Sequence, residues 1–355
     1  MKVAGFGAAV VFAIACGDSS STTQNQGGGG AAGCPDNLAP ATNSEFCADN
    51  PGTIDCTLVT SDKYQVCGVP LKEPPADLAR ATNVTEFAGS GPPDVACFQS
   101  GNYPDPPGTS SDVTVTGFAR IFSSGCDSHD LKITFYRVQA DGQLGDPVGT
   151  AVTTDATCVN VGESSTADNC DMRWECAYTY EGVPTETELA IRTENGAGVS
   201  LWSPLIQYNV YIPNSEVTAG SWDHDVRALA EPDYSVIPQT AIGHPIAPGN
   251  GAVAGEVHDC GDVRLENAVA DIDQPKAITT YFSSNEDNPL PDQSAKGSSV
   301  LGLYAALDVP PGPVTVAAGG YVNGEFVALG QHRIWVYADA VSTVTFKGLQ
   351  PYQVK

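Results

Sequence analysis

Residues Leu301–Ala318 read LGLYAALDVPPGPVTVAA, two apolar runs separated by a proline-rich turn. The prolines between 310 and 313 fix φ and lack an N–H donor, so this turn cannot lie inside a helix. After the turn, Val314, Val316 and Ala318 fall on one face of a strand, which is the period-two pattern of a half-buried sheet. The stretch therefore predicts two strands joined by a rigid corner, with Tyr304 and Val314 pointing toward a core.

A weaker copy of this pattern lies earlier in the chain, between Tyr178 and Ile191. Upstream of each copy, a strand-like run contains a glycine and leads toward a cysteine: Gly117 precedes Cys126, and Gly255 precedes Cys260. The two glycines are 138 residues apart (255 − 117). This period is too long for a solenoid repeat, so the sequence predicts two separate domains.

The chain is predicted to be all-β, with two tandem antiparallel β-sandwich domains after a Cys- and Pro-rich N-terminal segment. Glycines and prolines punctuate Gly243–Gly251, which is typical of a linker, although Trp222 and Val226 before them could pack on a sandwich edge. The predicted organisation is a signal peptide (1–15), a flexible tether (16–33), a Cys-rich irregular segment (34–110), a first sandwich (111–219), a linker (220–250) and a second sandwich (251–355).

The second half resembles the carboxypeptidase regulatory-like domain family. A glycine-initiated strand, then Asn267-Ala268-Val269, then Gly302–Gly312 with its Leu-Asp-Val-Pro-Pro-Gly ending, carry the resemblance. It covers 251–355 and, less fully, 111–219, where Val183-Pro184-Thr185 replaces the Pro-Pro-Gly corner. The resemblance implies a transthyretin-like antiparallel β-sandwich without a catalytic role. Members of this family occur beside peptidases, in surface proteins and in outer-membrane receptors.

The composition limits which classes of partner the protein can bind. The 355 residues carry 42 acidic and 16 basic side chains, for a net charge of −26. Binding a phosphate backbone requires clustered Lys and Arg, so the sequence excludes nucleic acid as a partner. The 37 glycines and 26 prolines are typical of an exported β protein with many turns.

The N-terminus predicts export and a lipid anchor. Met1–Ala15 has one cation, Lys2, followed by an apolar run too short to span a bilayer, which is typical of a signal peptide. Ala13-Ile14-Ala15-Cys16 resembles a bacterial lipobox, in which Ala13 replaces the usual Leu. Cleavage after Ala15 for ordinary secretion is the alternative. A lipoprotein acylated on Cys16, for example with palmitate, would sit in the cell envelope, anchored in the outer membrane and facing the periplasm or the exterior.

Cysteine parity agrees with that anchor, because the chain has 11 cysteines and acylation of Cys16 leaves ten that can pair. Pairing is the default in an exported protein. We expect at least one disulfide to pin the polar excursion between Cys158 and Cys176, and the connectivity stays open. The disulfide candidates are Cys34, Cys47, Cys56, Cys67, Cys97, Cys126, Cys158, Cys170, Cys176 and Cys260.

Candidate chemistry is sparse, and no catalytic residue or cofactor is assigned. Asp223 and Asp225 flank His224 and would share one side of an extended segment, where they could bind Ca²⁺ with backbone carbonyls; a solvated acidic linker is the alternative. Gly297–Gly302 is a near miss to Gly-x-Ser-x-Gly. The histidines form no His-Glu-x-x-His motif, and we expect lone surface residues at His129, His224, His244, His258 and His332.

These patterns favour a non-catalytic, lipid-anchored cell-envelope protein with a structural, adhesive or binding role. Its partners would be the membrane, through the lipid, and an envelope protein or a glycan. One alternative is a carbohydrate- or peptide-binding accessory module of a surface enzyme or transport system, which would need exposed aromatics in a row, such as Trp335 and Tyr337. Another is a hydrolase, which would need a pocket where His, Ser or paired carboxylates converge.

Overall fold

A computed structural model describes residues 64–66, 69–98, 102–122, 126–155, 157–161, 173–286 and 288–353. This part of the chain is built mainly of strands, so the all-β prediction is confirmed. The signal peptide, Cys16 and the tether lie outside the described residues. So do Cys34, Cys47, Cys56, Cys67 and Cys170.

The strands of the described residues are β1 (Gln65–Val66), β2 (Val69–Pro70), β3 (Ala79–Arg80), β4 (Asp112–Ile121), β5 (Leu131–Val138), β6 (Leu144–Thr153), β7 (Cys158–Asn160), β8 (Trp174–Pro184), β9 (Leu189–Asn195), β10 (Trp202–Ser203), β11 (Leu205–Val210), β12 (Ser221–Asp223), β13 (Val226–Ala230), β14 (Gly251–Glu256), β15 (Leu265–Glu266), β16 (Val269–Ile272), β17 (Ile278–Phe282), β18 (Pro291–Asp292), β19 (Leu303–Val309), β20 (Gly312–Val322), β21 (Glu325–Val336) and β22 (Val341–Val344). The described residues also contain one α-helix, α1 (Glu231–Ile242), and single 3₁₀ turns at Ala96–Phe98, Asn214–Glu216 and Pro351–Gln353.

The two halves repeat one order of strand pairing. In the first half, β4 pairs antiparallel with β8 and parallel with β12 and β13. In the second half, β14 pairs antiparallel with β19 and parallel with β22. Strands β11, β9, β5 and β6 form the other layer of the first half, and β21, β20 and β16 form that of the second. Each half buries an apolar core between its layers.

One sheet runs through both halves. Strand β11 of the first half pairs in parallel with β22 of the second, with Leu205 opposite Val341 and Gln207 opposite Thr343. This pairing creates a nine-stranded sheet in the order β18-β17-β19-β14-β22-β11-β9-β5-β6. The edge-to-edge junction hides the unpaired backbone groups of two edge strands.

The segment 220–250 is not the predicted linker. Its first part contributes β12 and β13 to the first-half sheet, and α1 follows directly. Val226, Ala228 and Ala230 alternate inward and are buried. The glycines and prolines that predicted a linker lie after this apolar run: Gly243 ends α1 in the left-handed conformation, with φ of 79°.

The corner at Val309–Gly312 carries the chain from β19 in the nine-stranded sheet to β20 in the three-stranded sheet. Tyr304 and Val314 are fully buried, which confirms their predicted direction. The expectation of a half-buried strand is wrong, because β20 is buried on both faces from 314 to 320. A second covering element must therefore pack on this half.

The N-terminal segment supplies that cover. Strand β3 pairs with β15, and the Cys97–Cys260 disulfide ties the segment to the second half. The ring of Tyr64 lies 6.1 Å from that of Tyr321 on β20, edge to face. Leu78 fills the space where a Cβ on Gly320 would fall. The described part of the predicted irregular segment (34–110) is thus integrated into the second half rather than separate.

A second disulfide joins Cys158 to Cys176 across β7 and β8, which confirms that the excursion between them is pinned. Cys126 is also disulfide-bonded. Across the parts of the chain that the structure describes, no helix is long and apolar enough to cross a membrane.

Candidate functional site

A cavity of about 450 Å³ lies at the junction of the two halves. Its floor is one face of the nine-stranded sheet, where β19, β14, β22 and β11 run side by side. The side chains of Ala252, Ala254 and Ala305 on this face are small and therefore leave space above the sheet. Helix α1, β13, part of β4 and residues 85–87 stand above the floor and contribute to the lining.

Polarity changes steadily across this floor. Strand register aligns its side chains in rows, and alternate residues of a strand face the same side. The first row is entirely apolar, the second contains Thr343 and Gln207, and the third contains Glu256. From apolar to polar, the rows are Leu307-Ala252-Val341-Leu205, Ala305-Ala254-Thr343-Gln207 and Leu303-Glu256.

The apolar end lies beneath α1. Tyr234, Ile237 and Pro238 of the helix line it together with Leu229 of β13. Asp233 and Glu231 in the first turn favour this helix because they face the positive end of its dipole. The hydroxyl of Tyr234 is buried without a hydrogen-bond partner among the described residues.

At the polar end, two arginines hold three carboxylates. Arg120 Nε lies 2.6 Å from Asp225, and its Nη1 lies 3.3 Å from Glu86 and 3.5 Å from Glu175. Arg227 Nη2 lies 2.8 Å from Glu86. Burial raises the pKa of Glu175 despite the nearby guanidinium groups. Burial also opposes ionisation of Glu86, but Arg227 and Arg120 outweigh it and lower the pKa of that carboxyl group.

A second network surrounds His258. Its Nε2 lies 2.8 Å from Glu256, and its Nδ1 lies 2.7 Å from Asp262. Arg264 Nε also lies 2.8 Å from Glu256, and the ring of Phe87 covers both cations. Burial alone would lower the pKa of His258, but the two carboxylates raise it. Burial would raise the pKa of Glu256, yet His258 and Arg264 hold it well below its usual range.

His224 and Lys347 lie together at the polar end. The His224 ring stacks on Trp222 at 4.5 Å with an interplanar angle of 10°. Burial, and next the nearby Lys347, lower the pKa of His224 to about 3, so the ring is neutral near pH 7. No carboxylate of the described residues lies within ion-pair distance of Lys347. Gln207 accepts a hydrogen bond from the Arg227 N–H, while its Nε2 is buried without an acceptor among those residues.

The expectation of lone surface histidines is wrong for His224, which lines the cavity against Trp222. It is also wrong for His258 and His332, which are 1% and 4% exposed. His258 is held by two carboxylates close to it in the sequence, Glu256 and Asp262. His332 packs its ring against Phe346 at 5.5 Å, and burial lowers its pKa to about 3. His129 is half exposed, as expected of a surface residue, but it is not alone, because its ring contacts Asp127 and Asp130.

The Ca²⁺ candidates are separated by their partners. Asp225 accepts hydrogen bonds from the Phe118 N–H and from Arg120, while Asp223 is exposed. Within the described ranges, no group of three or more His, Cys, Asp or Glu side chains is arranged to hold a metal ion.

The other candidate motifs also have structural roles. Ser298, from the near miss to a hydrolase motif, is buried, donates to the Leu265 carbonyl and accepts from the Ala268 N–H. Trp202 and Trp222 are buried, whereas Trp174 is 40% exposed. Tyr337 links the two halves, because its hydroxyl accepts a hydrogen bond from the Leu144 N–H.

Sequence reasoning missed the arginines of the cavity. Arg120 lies between buried Ala119 and Ile121, and Arg227 lies between buried Val226 and Ala228. A charged residue at such a position faces the opposite side of the sheet, which the alternation of buried and polar residues assigns to solvent. The signal available in the sequence was rarity, because this strongly acidic chain has only eight arginines. The structure places four of them in the cavity lining: Arg120, Arg173, Arg227 and Arg264.

No family model matches this chain, and no curated protein matches it. Among solved structures, it is similar to a streptococcal ancillary pilin at 9% identity, covering 66% of this chain and 68% of that one, with a TM-score of 0.19. The TIE protein of Bacillus anthracis has 11% identity, coverage of 67% and 34%, and a TM-score of 0.17. A minor pilin of Streptococcus agalactiae has 11% identity, coverage of 66% and 93%, and a TM-score of 0.16.

Proposed function

We propose that this protein is a non-catalytic, lipid-anchored binding protein of the bacterial cell envelope, whose ligand occupies the cavity at the junction of the two halves. The observation that carries the proposal is the cavity itself. Its volume of about 450 Å³ lies within the roughly 300–1,000 Å³ of small-molecule sites. A floor shared by both halves also makes the site dependent on the complete fold.

The chemistry of the lining supports binding rather than catalysis. Glu86, Asp225 and Glu256 each form ion pairs with an arginine, which holds them as structural groups. A general acid or base needs a pKa near the working pH and reach to a substrate proton. His224, whose ring lines the cavity, has a pKa lowered to about 3.

The proposed anchor is the lipid on Cys16, joined to the folded part through a polar tether. It rests on the lipobox resemblance and on cysteine parity. The resemblance to carboxypeptidase regulatory-like domains, whose members occur in surface proteins, supports the same location. Replacing Cys16 with Ser should move the protein from the detergent-rich membrane fraction to the soluble fraction of the envelope, and continued membrane partitioning would place the anchor elsewhere.

The binding role can be tested with N-phenyl-1-naphthylamine, a neutral apolar molecule whose fluorescence rises in apolar surroundings. The full chain carrying Cys16→Ser is exported and purified without detergent, because detergent would compete for the cavity. We expect binding at one molecule per chain. Ala254→Phe, which fills the second row of the floor, should abolish binding, whereas Val159→Phe on an exposed edge strand should not. Equal binding by Ala254→Phe would refute the proposed site.

A further inference from the structure

The cavity also indicates a class of ligand, an inference that rests on the proposed function. The rise of about 3.3 Å per residue places the first and third rows of the floor roughly 13 Å apart. Over that distance the lining changes from Leu205 and Val341 to Glu256, and Lys347 lies beyond the third row. An occupant must match this gradient, because burying a polar group against the first row would leave it unpaired.

The unpartnered groups at and beyond the second row are hydrogen-bond donors. Gln207 Nε2 is a buried N–H donor with no acceptor within the described residues. Lys347 carries a charge that no carboxylate of those residues neutralises, since Glu86, Glu256 and Asp225 are all held by arginines. A buried donor without an acceptor costs free energy, so a ligand that supplies the acceptor is favoured.

The neutral ring of His224 adds a further polar edge beside Lys347. Its stacking on Trp222 fixes the ring plane, so its position is set before a ligand enters. The acidic groups of this end, by contrast, are occupied by arginines and by His258. The end therefore favours an acceptor or an anion over a cation.

We infer that the cavity binds a medium-chain aliphatic carboxylate, with its hydrocarbon body on the apolar row beneath α1 and its carboxylate at Lys347. Gln207 lies in the second row, between the apolar row and Lys347. Recognition is non-covalent, and apolar burial supplies most of the affinity while the charge selects the head group.

The test uses decanoate and 1-decanol, which share the chain length and differ in the head group, as competitors that displace N-phenyl-1-naphthylamine. Decanoate should bind roughly tenfold more tightly than decanol, the ratio expected for one additional charge-assisted interaction. Lys347→Met should remove this difference by weakening decanoate alone. Lys347→Arg should retain it, and Lys296→Met, at an exposed lysine, should bind like the unaltered chain.

Each outcome separates the two ideas. If the fluorescent molecule binds and Ala254→Phe blocks it, but decanoate and decanol compete equally, the carboxylate inference is overturned while the binding role stands. Unchanged discrimination in Lys347→Met would likewise overturn it. If no molecule binds at the cavity, the proposed function itself fails. Thermal unfolding of every variant shows whether it is folded. Lys347→Gln, which also removes the charge, replaces Lys347→Met if that variant does not fold, and unchanged discrimination in it would overturn the inference in the same way.

Discussion

The two halves of the molecule share an order of strand pairing but differ in how the layer opposite β4 or β14 is covered on its outer face. In the first half, β5 buries Leu131 and Ile133 toward the core, while Lys132 and Tyr136 on its other face stay partly exposed. In the second half, the whole run 314–320 of β20 is buried. The same topology thus tolerates either solvent or a packed segment on its outer surface, and local sequence decides which.

Both halves also repeat one close backbone contact, between a glycine and the carbonyl group of a neighbouring strand. Gly117 and Gly255 lie at matching places on β4 and β14, each beside a parallel neighbour strand. A Cβ on Gly117 would lie 2.0 Å from the His224 carbonyl oxygen, and one on Gly255 would lie 1.8 Å from that of Val344. The repeated glycines therefore permit the close approach of the strand that closes each sheet.

The largest effect should come from burying a charge in the strand covered on both faces. Val316 is fully buried, so Val316→Asp should destabilise the protein by about 4–5 kcal/mol, at the upper end of single substitutions. Denaturant unfolding followed by tryptophan fluorescence, to which Trp335 of the second half contributes, measures this destabilisation. Val159→Asp, on an exposed edge strand, is the matched control, and an equal loss there would show that β20 is no more buried than that edge.

The repeated glycines should be similarly intolerant in both halves. Gly117→Ala and Gly255→Ala should each cost about 3 kcal/mol, because the backbone carbonyl facing the new methyl group must move. Near-ultraviolet circular dichroism and unfolding curves would report the change. Gly108→Ala, whose added Cβ meets only ordinary contacts at 3.5 Å and beyond, serves as the control. If only one of the two variants is destabilised, the halves differ in how they close.

His258 belongs to the second half alone, and His258→Ala should cost about 2–4 kcal/mol because it leaves Glu256 and Asp262 without their shared cation. The raised pKa of His258 means that its stabilisation is complete below about pH 6.5 and is lost as pH rises through the folded-state value. The lowered pKa of Glu256 means that its contribution is present above about pH 4.5 and is lost on acidification.

The penalty of His258→Ala should therefore be greatest between these limits and shrink toward alkaline pH. Unfolding free energies measured from pH 4 to pH 10 would show this dependence. His129→Ala, at a half-exposed histidine, should change stability little across the same range. A penalty that does not vary with pH would mean that the ion pairs of His258 add little.

The smallest effect should come from the corner that distinguishes the two turns. Gly312 has φ of 147°, yet a Cβ there would meet nothing within 4 Å. Gly312→Ala should therefore cost about 1 kcal/mol and Gly312→Val only slightly more, because backbone strain, which a β-branched side chain increases, sets the penalty rather than crowding. Thermal unfolding of both variants tests this. A much larger loss for Val than for Ala would reveal a contact at the corner.

Local patterns determined a good part of this protein. Three prolines and a glycine set the corner, alternation placed Tyr304 and Val314 in a core, and the crowded cysteines predicted a pinned excursion at Cys158–Cys176. Each of these features depends on residues close in the sequence, where φ restrictions and side-chain period act directly.

Only the tertiary structure decided the junction and its cavity. The pairing of β11 with β22 joins residues more than 130 positions apart (341 − 205), and no local pattern specifies which edge strands will meet. Once they meet, arginines such as Arg120 and Arg227 that a strand pattern assigns to solvent lie in a covered cavity. The N-terminal segment likewise became part of the second half through Cys97–Cys260. Burial depends on the whole fold, so contacts with residues distant in the sequence set the environment of each side chain, and the local sequence does not specify those contacts.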